Sequence, residues 1–166
     1  MKGEKMSLVI DTLRTSMITE ELTDSELKIL VELVVVKDRK AGEQVVMPRD
    51  KHPDNLYILA QGEVEVKIKS SDGETVIDKL KPGDLAGVIT FVGGAPTQHS
   101  ATLYSIGNSK VLRLERSKFV ALVDTHPMIV YKVMCAIVRN VHGIVRNMNA
   151  RASELSNYIY RHSGGY

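Results

Sequence analysis

Few side chains in this 166-residue sequence have a type and spacing that can do chemistry. The five histidines, His52, His99, His126, His142 and His162, show no His-x-x-x-His or similar ligand spacing, so no metal site is expected. No Ser-His-Asp set or paired carboxylates can be argued from position, so no catalytic residue is assigned and no enzyme is expected. Gly93-Gly94-Ala95-Pro96-Thr97 offers the glycine pair of a phosphate cradle, but no lysine follows in a P-loop arrangement. Cys135, between Met134 and Ala136, reads as a small packed hydrophobe before it reads as a reactive thiol. What remains is a glycine-punctuated stretch, Gly83-Asp84-Leu85-Ala86-Gly87-Val88-Ile89, followed by His99-Ser100-Ala101-Thr102. Its meaning depends on the elements that hold it.

The composition is that of a soluble protein, 43% hydrophobic and 25% charged, with a net charge of +2 that gives no nucleic-acid footprint. Trp is absent and Phe occurs twice, so a base-stacking platform lacks its material. One cysteine excludes an internal disulfide and makes a reducing cytoplasm the simplest compartment. No apolar run approaches a membrane span, and no secretory signal is evident.

Leu8, Ile10, Leu13 and Met17 suggest a short amphipathic helix. Thr23 or Asp24 can cap a second, along which Leu27, Leu30, Val31 and Val34 keep helical spacing. From Lys37, short apolar runs alternate with turn signals. Strands are predicted over 44–47, 56–59, 63–69, 75–80, 101–105 and 110–114, which suggests an antiparallel barrel or roll. Residues 48–55 read as a loop. A short helix is expected over 117–123, and a long one opens at Pro127. Val133, Ile137, Val141, Ile144, Met148, Ala152, Leu155 and Ile159 form its apolar stripe, with a mean step of 26/7, about 3.7 residues. Val130, Met134, Val138 and Val145 flank it up to Met148. A stripe this wide can face both the roll and a partner helix. Lys132, Arg139, Arg146, Arg151 and Arg161 make the helix basic, by default a solvated face and otherwise one for an acidic partner.

The glycine stretch, with Gly42, the run from Leu56 to Val66, and Val111-Leu112-Arg113-Leu114 leading into Ser117 to Phe119, resembles the cyclic nucleotide-binding domain family. The similarity runs from about Leu22 to about Tyr160. It implies a mainly β fold with flanking helices, a jelly-roll-like β-roll spanning 1–126 with a phosphate-binding cassette at 83–102, and a long C-terminal helix over 127–162. The family cassette reads Gly-Asp-x-x-Gly-Glu-Leu, then Arg-Ser/Thr-Ala. The matching ligand positions here are Gly83, Gly87, Val88, Ile89, His99, Ser100 and Ala101.

By that resemblance, N–H groups at the helix opened by Gly87 would face a phosphate, with Ser100 and the Ala101 N–H on its other side. The ribose acceptor is replaced by Val88, which accepts nothing, and the phosphate-pairing arginine by His99, which cannot make a bidentate fork. Ile144-Val145, where the bacterial activators contact the base, is apolar. No cofactor is expected beyond a possible cyclic nucleotide or other small anion. The reading is a stand-alone regulatory or sensor module that does not hold cAMP or cGMP in the family manner. The alternative is weak binding through backbone N–H groups, Ser100 and His99. A homodimer is expected through Val133, Ile137, Val141, Ile144, Met148 and Leu155, with a protein partner possible. The sequence ends at Tyr166, which leaves no room for the helix-turn-helix of the family's transcription factors, so DNA binding is not expected.

Overall fold

The computed structural model describes residues 2–46, 54–71, 73–93 and 101–163. Helix α1, Lys2–Thr15, and a 3-10 turn, Met17–Thr19, precede α2, Asp24–Leu33. Thr23 caps α2 through a capping box: its hydroxyl accepts from the Glu26 N–H, and its own N–H donates to Glu26 Oε2 at 2.8 Å. Val34 ends the helix instead of extending its stripe. The β-branched run that follows forms β1, Val34–Arg39, three residues before the predicted change of character.

The other strands are β2 (Gln44–Val46), β3 (Asn55–Gln61), β4 (Val64–Ser70), β5 (Gly73–Leu80), β6 (Leu85–Ala86), β7 (Thr102–Ser105) and β8 (Ser109–Glu115). They form two antiparallel sheets, ordered β1-β8-β3-β6 and β2-β7-β4-β5. Strand β3 is buried on both faces. Leu56 and Ile58 face the helices with Leu112 and Leu114 of β8, while Tyr57 and Leu59 face the space between the sheets with Val45, Val64, Leu103 and Val111. This explains its unbroken apolar run. Strand β5 is the exposed edge of its sheet.

Helix α3 (Val88–Gly93) follows β6, and α4 (Arg116–Val120) with a 3-10 turn (Ala121–Val123) follows β8. Helix α5 runs from Pro127 to Ser163, 37 residues or about 55 Å. Its first third is seated on the body through Ile129, Val133, Ala136 and Ile137. Val133 and Ile137 are fully buried there, which corrects their assignment to a dimer seam. Beyond Gly143 the described side chains are exposed. Among the described residues one helix segment, 127–161, is long enough and in part apolar enough to cross a membrane, by length and composition only.

Candidate ligand site

The cassette is built as two turns and a short helix. Pro82-Gly83 makes the first turn, and Gly83 takes φ 97°, a conformation side chains resist. Asp84 holds this turn: its carboxylate accepts from the Lys81 N–H at 2.8 Å. The turn is pinned to β3, with the Gly83 N–H donating to the Leu59 carbonyl at 2.8 Å and the Leu59 N–H to the Asp84 carbonyl at 3.0 Å. Gly87 makes the second turn at φ 76°, pressed so closely on β3 that a Cβ would strike the Asn55 carbonyl oxygen. Its carbonyl accepts from the Phe91 N–H at 3.0 Å and the Thr90 hydroxyl at 2.9 Å, which starts α3. The far end of α3 is held by Arg116, whose Nε donates to the Phe91 carbonyl at 2.8 Å, and by Phe91 packed on Phe119, ring centres 5.3 Å apart.

Four of the predicted positions, Gly83, Gly87, Val88 and Ile89, are thus brought together, and Ala101 lies just before β7. His99 and Ser100 lie outside the described residues, as do positions 94–97 of the glycine loop and 48–53 of the loop before β3. Val88 is buried and belongs to the same apolar cluster as Phe91, Leu56 and Phe119, whereas Ile89 is 69% exposed. Deeper between the sheets, Val45, Tyr57, Leu59, Val64, Leu103 and Val111 line a cavity of about 10 Å³, room for about one water. Among the described residues no group of His, Cys, Asp and Glu can hold a metal ion.

The sequence reading passed over one inward residue. Arg113 interrupts Val111-Leu112-Arg113-Leu114, where alternation puts a charge on the roll's inner face. It donates from Nη2 to Glu115 Oε1 at 2.7 Å, and Glu115 also receives Lys118 Nζ at 3.2 Å.

The solvent side of α5 forms a second feature. Tyr131, Met134, Val138, Val141, Val145, Met148, Ala152, Leu155 and Ile159 follow one another in alternating steps of three and four. Met134 and Val141 are partly buried against the body, and the rest are exposed.

Residues 37–126, more than half of the chain, match the family described as Cyclic nucleotide-binding domain. The chain belongs to that family. Among relatives of this cyclic nucleotide-binding domain, "HTH-type transcriptional regulator Cmr" of Mycobacterium tuberculosis is 28% identical over 112 residues, 68% of this chain and 45% of that protein. The domain spans less than half the length of the curated relatives it matches. A cyclic nucleotide-binding domain from Methylobacillus flagellatus has the same fold, with a TM-score of 0.76 at 17% identity over 89% of this chain and 82% of that one. The regulatory subunit of a cAMP-independent protein kinase A from Trypanosoma brucei, a triple mutant bound to cAMP, aligns with a TM-score of 0.67 at 19% identity, over 82% of this chain and 47% of that one. The mainly β roll with flanking helices and a long C-terminal helix is the fold of this family.

Proposed function

We propose that this cyclic nucleotide-binding domain is a regulatory module that does not grip cAMP or cGMP through the family's side chains. It acts through pairing of its long helix and through protein contacts or another ligand. The observation that carries this reading is Val88: the position of the ribose acceptor is apolar and packed into the core with Phe91 and Phe119. His99 removes the bidentate cation from the same ligand. Losing two charged hydrogen-bond partners weakens binding by on the order of a thousandfold if the effects add. The Trypanosoma relative, cAMP-independent by its description and bound to cAMP as a triple mutant, supports the idea that this fold and cAMP recognition are separable. The regulatory reading is non-catalytic, and a single cysteine favours a cytoplasmic setting.

Calorimetry with cAMP and cGMP tests it. We expect no binding at micromolar concentration by the natural sequence, and recovered cAMP binding in a Val88→Glu, His99→Arg double variant. A micromolar or tighter dissociation constant for the natural sequence overturns the reading. The second reading, weak cyclic nucleotide binding, is favoured by the cassette backbone, since Gly83 and Gly87 keep their left-handed turns. It would use N–H groups of the cassette with Ser100 and His99, and the same titration would return a millimolar constant for it.

The exposed seam of α5 supports the pairing. Steps of three and four are the 3.5-residue period of a left-handed coiled coil, in place of the 3.7 read from the whole stripe. Val138, Val145, Ala152 and Ile159 fall at one core position, and Val141, Met148 and Leu155 at the other. Val138, Val145 and Ile159 are β-branched at the first position, and Met148 and Leu155 are unbranched at Cβ at the second, a pattern that favours two parallel strands. The occupant of the seam is a second copy of this chain.

A further inference from the structure

Strand β8 turns an arginine into the roll. Leu112 and Leu114 belong to the helix-side core and Val111 to the inner core, so Arg113 is on the inner face. The register sets it between Val35 of β1 and Tyr57 of β3, with Ala86 of β6 beyond Tyr57. Strands lie ~4.8 Å apart, so Arg113 stands about 10 Å from Ala86, the residue before the cassette's second glycine.

The guanidinium is only half satisfied. Its Nη2 donates to Glu115, while its Nε is buried and has no acceptor. An arginine normally grips both oxygens of a carboxylate or phosphate with two parallel bonds, and Glu115 provides for one of them. Glu115 has a second cation in Lys118, so it remains compensated if Arg113 turns toward another anion. A buried, charge-bearing N–H without a partner is uncommon in a native interior. Here it sits on the inner face of a roll whose family is named for holding a phosphate-bearing ligand, in a chain with histidine at the position of the cassette arginine.

We propose that Arg113 is the cation of a ligand site in this roll, donating from Nε to an oxyanion, phosphate or carboxylate, of a small molecule. The positive charge then comes from the central strand of the sheet behind the cassette rather than from position 99. The proposal rests on the reading that the roll senses a ligand by means other than the family's acceptor and cation.

The test is calorimetry on the full chain with cAMP, AMP, inorganic phosphate and citrate, for the natural sequence and for Arg113→Gln, Arg113→Lys and Lys110→Gln. At least one probe binds the natural sequence. Its affinity falls about tenfold or more in Arg113→Gln, is partly kept in Arg113→Lys, and is unchanged in Lys110→Gln, which removes a charge from the same strand. AMP against inorganic phosphate separates a nucleotide source from free phosphate, and citrate reports a carboxylate. Equal binding by Arg113→Gln, or no binding of any probe by the natural sequence, overturns the proposal. Thermal melts establish that Arg113→Gln is folded; if it is not, a Lys variant that binds as tightly as the natural sequence overturns the fork. In the Val88→Glu, His99→Arg background, recovered cAMP binding supports the sensing module whatever Arg113 does, because position 99 again carries the family's cation. Failure of that background to bind cAMP counts against the module's cavity, while the comparison in the natural sequence still decides Arg113.

Discussion

Val88 carries the functional argument because it has two consequences at once. In the proposed function it takes the place of the cassette's acceptor, and in the structure it joins the core cluster. A carboxylate placed there loses hydration without gaining a partner, a loss on the order of 3 kcal/mol. We therefore expect Val88→Glu alone to lower the melting temperature by roughly 10 °C at pH 7. Burial raises the folded pKa of such a carboxyl above its unfolded value, so the native state holds the extra proton. The destabilisation should be smallest below ~4.3, where both states are protonated, and grow as pH rises above it. Melts of the variant at pH 4 and pH 7 check both statements. In the double variant with His99→Arg, added cAMP should recover part of the lost melting temperature, since a ligand that binds the native state stabilises it.

At the scale of elements, the N-terminal helices are strapped to α5 by polar contacts on one side. Lys132 Nζ donates to both Glu26 oxygens, at 2.9 and 2.8 Å, Arg139 pairs with Glu21 at 2.7 Å, and Asn140 reaches the Met17 sulfur at 3.0 Å. Glu26 does double duty, since it also closes the cap of α2. The Lys132 hydrogen bonds, and after them the Thr23 N–H, hold its carboxyl below the ordinary value of 4.5. A depressed folded pKa gives stability that is present above the unfolded value and is lost as pH falls through the folded one. Urea midpoints should therefore fall from pH 7 to pH 3 more steeply in the natural protein than in Glu26→Gln. The gap between the two should narrow toward the acid end.

At the scale of the molecule, α5 divides its labour along its length. Its first third belongs to the monomer, through Ile129, Val133, Ala136 and Ile137, and the part beyond Gly143 leaves the body with its seam uncovered. A Met148→Glu, Leu155→Glu double variant puts four carboxylates into the seam of a dimer. We expect it to sediment as a folded monomer at micromolar concentration, where the natural sequence sediments as a dimer. Leu155→Cys reports direction: a disulfide between two copies of position 155 forms readily if the helices run parallel. A monomeric natural sequence would remove pairing from the proposed function and leave the binding argument untouched.

The order of elements was legible because its signals are local. Thr23 with Glu26 announces a capped helix, the alternation from Val64 to Lys69 announces a half-buried strand, and Pro127 announces the start of α5. The cassette was legible as well, since glycine at 83 and 87 answers to backbone angles that other residues resist. The start of β1 was not, because Val34 suits the helical stripe and the strand equally until β8 pairs with it. Nor could spacing divide α5. One helix surface carries a stripe of about 3.7 residues and a seam of 3.5, and only the body, by covering Val133 and Ile137, leaves the 3.5 seam exposed. Arg113 belongs with these: as a letter it is one more cation on a strand, and it gains its meaning when β1 and β3 close on either side and hold its Nε away from water. Composition, caps and backbone angles are properties of neighbours along the chain, so the sequence alone determined them. Which face of an element is covered depends on what packs against it from far away in the chain, and that was decided only in three dimensions.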